Sequence, residues 1–417
     1  MQDVIKAHED TIGKDCKGAA TRCRKTFILN FRNNNGKMNH NPERKKKRSG
    51  TLIFISAICA IFFILLGLRL FNSFPQLPEP AAQKSRLITD MRGREVVIPD
   101  PLKKIALLGG PTGQVAYILS VQDQLCAVTN TLKMSRLIRE MDPGIKDLPG
   151  PRTVCGNINI EELIESMPDI VIAGDIDGDI VLKKTRIPVV FLDDSMGEGI
   201  DDVIKEIRFY GYVFCSEDRA ERYVDHLKSI IRRVRARTAD IPENERKKVF
   251  HGYNPTHLVT LGGDTFMQER IEFAGCINSS ESVATTGKQT GLHSGLGEVS
   301  MEQVLEWNPD IIVINSGSPE DLAGNPQWRS IAAVQNKQIY CQPAGVFIFN
   351  RPTAESAALY PLWLAAVAYP DRFSDISLKK EIKNFYRDIF DFELTEEQVH
   401  KILAGDYEAK IMKGAQL

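Results

Sequence analysis

Two stretches of this 417-residue chain, "IEELIESMPDIVIAGD" at residues 160–175 and "MEQVLEWNPDIIVINS" at residues 301–316, follow one pattern. In each, apolar residues recur at helical spacing, then a Pro-Asp pair and a second apolar run follow. Pro168 and Pro309 end the predicted helices, because the residue before a proline disfavours helical backbone. The runs "IVIA" and "IIVI" are typical of strands that are covered on both faces. The repeat therefore predicts two separate α/β units.

The two predicted helices also begin alike. Asn159 and Ser300 are their predicted N-caps, and the second forms a capping box by sequence. Glu161 and Glu302 occupy the same position in the first turn, where a carboxylate interacts favourably with the helix dipole. The loops that follow the two strands lie at carboxyl strand ends, the edge at which open α/β sheets bind ligands.

The rest of the folded sequence extends this alternation. Strand and helix patterns alternate over residues 86–214 and again over residues 241–417, where a helical tail follows. Such alternation predicts parallel sheets with right-handed crossovers. Between these regions, residues 215–240 keep helical spacing, and Glu217 to Arg237 predict one helix of about 30 Å. The predicted fold class is therefore α/β, with two lobes joined by a single long helix.

The first 85 residues have a different composition. Residues 1–50 contain thirteen Lys and Arg against five Asp and Glu, and residues 51–71 begin with a long uncharged apolar run. This run predicts a transmembrane anchor whose basic flank stays in the cytoplasm, with a cleaved signal peptide as the alternative. Met38 is an alternative start, and residues 72–85 are a Pro-rich linker. The remainder is expected outside the cytoplasm.

Composition and motifs exclude several classes of function. The net charge is -1 at pH 7 and the chain after residue 50 is mildly acidic, so no nucleic-acid partner is expected. The sequence has no P-loop, no HExxH, no GxSxG and no CxxC pair. Asp193 and Asp194 are adjacent on a predicted strand and point to opposite faces, which argues against a catalytic dyad. No catalytic residue and no cofactor is predicted.

Six blocks of sequence, in this order and spacing, resemble bacterial substrate-binding proteins that serve ABC importers of iron–siderophores, haem and cobalamin. The blocks are "ITDMRGREVVIPDPLKKI", "NINIEELIESMPDIVIAG", "ERIEFAGCIN", "EVSMEQVLEWNPDIIVI", "WRSIAAVQNKQIYCQPAG" and "ESAALYPLWLAAVAYP". The resemblance covers about residues 86–402. It implies a class III periplasmic binding protein, in which two Rossmann-like lobes are joined by a rigid helix and hold the ligand between them.

The resemblance also implies a partner. In this family, one surface glutamate on each lobe forms salt bridges with arginines of the permease dimer, which works with a cytoplasmic ATPase. The matching positions in this sequence are Glu161 and Glu302. A chelatase-like enzyme on a similar two-lobed fold, and a membrane-anchored receptor without a transport role, are the alternatives.

The expected ligand is a metal chelate held among the strand-end loops. A ferric siderophore is the first choice, followed by cobalamin or another corrinoid, and then by haem. Imidazole and phenolate groups can ligate ferric or haem iron, so His251, Tyr253 and His293 are candidate metal ligands. The candidate ligand-binding residues are Gly110, Pro111, Asn157, Asp175, Tyr253, His257, His293, Ser316, Phe347 and Arg351.

Two of these candidates have specific expected roles. Arg351, in "FIFNRPT", is expected to pair with a ligand carboxylate or a catecholate oxygen. Phe347 is expected to stack on a flat macrocycle, and core packing is an equally good interpretation of this residue.

Overall fold

The computed structural model describes residues 84–109, 111–153, 156–192, 199–254, 257–285, 296–315 and 317–407. The predicted basic segment and transmembrane segment lie outside these described residues, as does nearly all of the predicted linker. In the described part of the chain, no helix is both long enough and apolar enough to cross a bilayer.

A β-hairpin opens the folded region. Strands β1 (Ser85–Thr89) and β2 (Glu95–Pro99) pair antiparallel, and Gly93 adopts a φ of 76° in the turn between them, a conformation that favours glycine. The buried carboxylate of Asp90 accepts hydrogen bonds from the backbone N–H of Arg92 at 3.1 Å and of Arg94 at 2.9 Å. The hairpin predicted around this glycine is confirmed.

The first lobe contains a four-stranded parallel sheet in the order β4-β3-β5-β6. Its strands are β3 (Ile105–Leu107), β4 (Leu125–Val128), β5 (Ile170–Ala173) and β6 (Val189–Phe191). Its helices are α1 (Val115–Ile118), α2 (Asn130–Met134), α3 (Arg136–Met141), α4 (Ile160–Glu165) and α5 (Asp175–Lys184). Every residue of β5 is buried, and its side chains alternate between two cores on opposite faces of the sheet. The parallel, doubly covered strand predicted here is confirmed.

The second lobe has a larger, mixed sheet in the order β10-β8-β7-β11-β12, with β9 also paired to β7. Its strands are β7 (Lys248–Asn254), β8 (His257–Leu261), β9 (Ile277–Asn278), β10 (Leu296–Glu298), β11 (Ile311–Ile314) and β12 (Ile339–Cys341). Its helices before the tail are α8 (Phe266–Phe273), α9 (Met301–Trp307), α10 (Pro319–Gly324) and α11 (Ala332–Gln335). Strands β7, β11 and β12 are parallel, as predicted.

The prediction of a wholly parallel sheet is wrong for this lobe. Strand β8 pairs antiparallel with both β7 and β10. Only two residues separate β7 from β8. A connection this short joins antiparallel strands, whereas a parallel crossover needs a dozen residues or more.

Two consecutive helices lie between the lobes in the chain. Helix α6 (Ile200–Phe214) ends at Cys215, which adopts a left-handed conformation, and α7 (Glu217–Thr238) follows at once. With 22 residues, α7 is about 33 Å long. The long helix predicted from Glu217 to Arg237 is confirmed. It packs against α1 of the first lobe and against α8 of the second.

The helical tail crosses back to the first lobe. It consists of α12 (Ala354–Ala368), α13 (Leu378–Phe390) and α14 (Glu396–Leu403). Helix α12 packs along α7, whose Tyr223 hydroxyl donates to the Ala354 carbonyl at 2.7 Å. Beyond α13, the Asp391 carboxylate accepts from Ser120 Oγ of the first lobe at 3.0 Å. Further along, Tyr407 Oη donates to Glu140 at 2.8 Å. The tail therefore contacts both lobes.

We predict that the close packing of α6 on α7 depends on Gly211. A Cβ at this position would lie 2.7 Å from the Cβ of Ala220. The Gly211→Val variant should lose about 1–3 kcal/mol of unfolding free energy in urea titrations, because the helices must separate. The control is Gly324→Val, since a Cβ there meets nothing within 4 Å. Equal losses in the two variants would contradict this account.

Candidate functional site

The lobes meet at the loop formed by residues 342–351, which lies between β12 and α12. The Val346 carbonyl accepts a hydrogen bond of 2.7 Å from Ser135 Oγ, at the start of α3 in the first lobe. The N–H of the same Val346 donates to Glu355 Oε2 at 3.0 Å, within the second lobe. A single residue is thus held from both lobes at the carboxyl end of a sheet, the edge where ligands are expected.

Glu355 is a carboxylic acid with no exposed surface, near the start of α12. It accepts from the N–H of Val346 and of Phe347, the latter at 3.5 Å, and is hydrogen-bonded to the hydroxyl of Tyr386. Burial raises the pKa of its carboxyl to about 7, and the hydrogen bonds partly offset that effect. A Cβ at Gly345 would overlap both the carboxylate and the Tyr386 hydroxyl, so only glycine fits there.

Arg351, at the end of the loop, has a backbone that hydrogen bonds fix in place. Its carbonyl accepts from Arg270 Nη1 at 3.0 Å and from Ser356 Oγ at 2.6 Å. Arg270 is itself buried and lies over the ring of Phe266. The guanidinium of Arg351 is half-buried and has no hydrogen-bond or ion-pair partner among the described residues. The arrangement presents a cation at the strand-end edge of the second lobe.

His251 and Phe347 both lie in the interior. His251 Nε2 is 2.6 Å from Gln342 Oε1, and burial lowers the pKa of the imidazole to about 4, which keeps it neutral near pH 7. These contacts favour a structural role over iron ligation. Phe347 is 6% exposed and belongs to the core that both lobes share. This is the core packing that was the other interpretation of the residue.

The first-lobe candidates have local partners. Asp175 begins α5 and forms an ion pair of 2.5 Å with Arg92, which also bonds Asp179 at 3.0 Å. The Arg92 guanidinium lies 3.7 Å from the ring centroid of Phe191. Asp175 therefore helps to hold the β-hairpin on the first lobe. Asn157 is exposed, and its N–H donates to the hydroxyl of Thr153 at 3.1 Å.

The structure also shows an ion pair that the sequence did not indicate. Arg152, in the segment between β4 and α4, contacts the carboxylate of Asp177, which is 8% exposed. The two residues are 25 positions apart in unrelated stretches, so neither spacing nor motif connects them. This pair places a partly buried ion pair at the strand-end edge of the first lobe.

The remaining candidates stay predictions. Gly110, His293 and Ser316 lie outside the described residues. For Pro111, Tyr253 and His257, the structure describes the backbone, in a 3-10 turn, β7 and β8 respectively, but not the side chain. Within the described ranges, no group of three or more His, Cys, Asp or Glu side chains is arranged to hold a metal ion.

The repeated helices α4 and α9 are capped as predicted. Asn159 accepts from the N–H of Glu162 at 3.3 Å, and Ser300 accepts from the N–H of Gln303 at 3.2 Å in a full capping box. Glu161 and Glu302, in the first turns, are exposed. Neither carboxylate has an ion-pair partner among the residues that the structure describes.

The two helices match at further surface positions. Ile164 is 49% exposed on α4, and Leu305 is 40% exposed on α9, each three residues after the first-turn glutamate. Glu165 and Glu306 follow next and are also exposed. Residues three and four apart lie on one helix face. Each lobe therefore presents two carboxylates with an aliphatic side chain between them.

Comparison with known proteins identifies the family. Residues 105–344, more than half of the chain, match the family described as periplasmic binding protein. This chain belongs to that family. The binding protein is therefore the substrate-binding component of an ABC transporter and acts outside the cytoplasm.

Three relatives illustrate the similarity. The molybdate-binding protein MolA of Haemophilus influenzae is 26% identical over 74% of this chain and 92% of its own length. An uncharacterised ABC transporter substrate-binding lipoprotein of Bacillus subtilis, YvrC, is 24% identical over 73% of this chain and 93% of its own length. A periplasmic solute binding protein from Veillonella parvula has a TM-score of 0.67 at 23% identity, covering 78% of this chain and 99% of that structure. This last similarity supports the two-lobed α/β fold.

We predict that Glu355 makes stability depend on pH. Its folded-state pKa of about 7 lies above the ordinary value of 4.5, so the folded protein binds this proton more tightly. The free energy of unfolding should fall as the pH rises from about 5 to 8, by on the order of 2 kcal/mol relative to Glu355→Gln. His251, whose folded-state pKa is lowered, contributes the opposite slope below about pH 6.5.

The difference between wild type and Glu355→Gln isolates the carboxyl, because both proteins contain His251. Urea unfolding at several pH values, followed by tryptophan fluorescence, measures it. A difference that stays constant with pH would show that Glu355 keeps an ordinary pKa.

Proposed function

We propose that this binding protein captures an anionic metal compound in the cleft between its lobes and delivers it to an ABC permease. The observation that carries the proposal is the guanidinium of Arg351, which has no ion-pair partner among the described residues and lies on a loop that buried groups of both lobes hold in place. Arginine recognises carboxylate, catecholate and other oxyanion groups through paired N–H donors. A ferric siderophore, in which anionic oxygens surround the iron, is the first candidate.

Molybdate is the second candidate. It is favoured by the similarity to MolA, which extends over nearly the whole length of that molybdate-binding protein. A tetrahedral oxyanion would accept the same hydrogen bonds from Arg351 as a siderophore oxygen. Corrinoids and haem have less support, because Phe347, the residue expected to stack on a macrocycle, lies in the core. His251 is likewise engaged by Gln342.

We predict that Arg351→Gln lowers the affinity for the anionic ligand at least ten-fold, on the order of 1.4 kcal/mol or more. The change removes the charge and the paired N–H donors and leaves a shorter, neutral amide. Tryptophan fluorescence titrations with a ferric catecholate siderophore, a ferric hydroxamate, molybdate, haem and cobalamin measure the affinity. The control is Arg329→Gln, an exposed arginine on the second lobe.

Equal affinity in the two variants would contradict a role for Arg351 in binding. Binding of haem or cobalamin alone would overturn the proposed ligand class and leave the transport role in place.

The proposed permease contact rests on Glu161 and Glu302. Their equivalent positions on two lobes suit a partner that offers two equivalent basic surfaces, as a permease dimer does. Ion pairs of exposed carboxylates contribute little to the stability of a fold. The fold therefore does not depend on these two residues, and they can bind a partner. The exposed Ile164 and Leu305 lie beside them and supply apolar area at the same two places.

We predict that the double variant Glu161→Ala and Glu302→Ala abolishes uptake of the ligand in cells and leaves ligand affinity and thermal stability unchanged. A matched control removes two exposed carboxylates elsewhere, Glu95→Ala and Glu243→Ala. Radiolabelled uptake, with titration of each purified protein, separates docking from binding. Normal uptake by the Glu161 and Glu302 double variant would contradict the docking proposal.

A further inference from the structure

The backbone of Val346 is hydrogen-bonded to both lobes. The carbonyl accepts from Ser135 of the first lobe, and the N–H donates to Glu355 and, at 3.2 Å, to the Tyr386 hydroxyl, both in the second lobe. All of these groups are buried or nearly so, and Ser135 is 1% and Glu355 0% exposed. Water therefore does not replace these bonds when the lobes are in this arrangement, and a buried polar group left without a partner is destabilising.

We infer that Ser135 and Glu355 are positioning residues, which together hold the 342–351 loop between the lobes and so fix the place of Arg351 in the cleft. The inference rests on the proposed function where it concerns ligand affinity. It extends that function by naming two residues, one in each lobe, that act on the ligand through the loop and not by contact.

Hydrogen bonds within the loop stiffen it. Within it, the N–H of Gly345 donates to the Phe347 carbonyl and that of Phe349 donates to the Pro343 carbonyl, both at 3.0 Å. Its last residue, Arg351, is held by Arg270 and Ser356 of the second lobe. A displacement at Val346 is therefore transmitted along a hydrogen-bonded segment to Arg351.

Ser135 attaches the loop to the first lobe with a side chain that makes two hydrogen bonds. Ser135 Oγ donates to the Val346 carbonyl and also accepts from the N–H of Ile138 at 3.4 Å, as the N-cap of α3. Alanine at this position removes both bonds. The chain offers a matched control in Ser377, an exposed N-cap of α13 whose Oγ accepts from Lys380 N–H at the same distance of 3.4 Å. Ser377→Ala removes a cap and leaves the loop attachment intact.

The first test is hydrogen exchange on the full-length protein without ligand. In Ser135→Ala, the amides of Gly345, Val346 and Phe347 should exchange at least ten-fold faster than in Ser377→Ala, while amides of β3 and β5 keep their rates. Exchange rates in the loop that match those of Ser377→Ala would overturn the inference. This measurement needs no ligand, so its outcome does not depend on the proposed function.

The second test asks whether the loop acts through Arg351. The probe is whichever of the ferric catecholate and molybdate binds the wild-type protein. Ser135→Ala should weaken its binding at least five-fold in the wild-type background and have little effect in the Arg351→Gln background. Glu355→Gln retains an acceptor for the Val346 N–H. It should therefore keep most of the affinity that Glu355→Ala loses.

Equal losses in both backgrounds would show that Ser135 does not act through Arg351, and would overturn the positioning role. If neither probe binds, the proposed ligand class fails, and the exchange experiment alone decides whether the loop is held between the lobes.

Discussion

The burial of one face of α7 is the constraint on which the two-lobed structure depends. Tyr223, Leu227, Ile230 and Val234, at helical spacing, lie in one core that includes residues of both sheets. Burial of a large apolar side chain contributes about 1.5–3 kcal/mol. Because the same helix face closes the cores of both lobes, the lobes cannot move apart widely without exposing it. The cleft must therefore respond to its ligand by small adjustments, and local contacts at the lobe boundary decide its shape.

The sequence predicted the elements that depend on local pattern. The parallel strands with "IVIA" and "IIVI", the caps at Asn159 and Ser300, and the length of α7 all follow from short-range periodicity and end signals. The antiparallel strands β8 and β10 were not predicted, because a strand's direction depends on which neighbour it pairs with. The return of the tail to the first lobe was not predicted either, since the contact of Asp391 with Ser120 joins residues 271 positions apart.

The candidate site was predictable to the level of loops, and less so to that of side chains. Arg351 was singled out for its charge, and the structure leaves that charge unpaired in the described part of the chain. His251 lies on β7 and Phe347 lies in the same loop as Arg351, but both side chains are buried. Sequence alone does not show how deeply a side chain at a strand end is buried. One face of such a strand lies toward the cleft, and the other packs against a helix. Buried polar partners such as Ser135 have no motif, because their bonds are made only after the lobes assemble.

The contacts of the tail have a consequence for how the chain is made. Glu140 of the first lobe receives bonds from Gln398 and Tyr407, and Arg136 donates to the carbonyl of Asp406. Synthesis proceeds from the amino terminus, so the first lobe emerges long before these residues exist. During that interval, its surface around α3 has no covering partner. A first lobe that is covered by residues 258 to 270 positions later therefore keeps this surface exposed until those residues have been made.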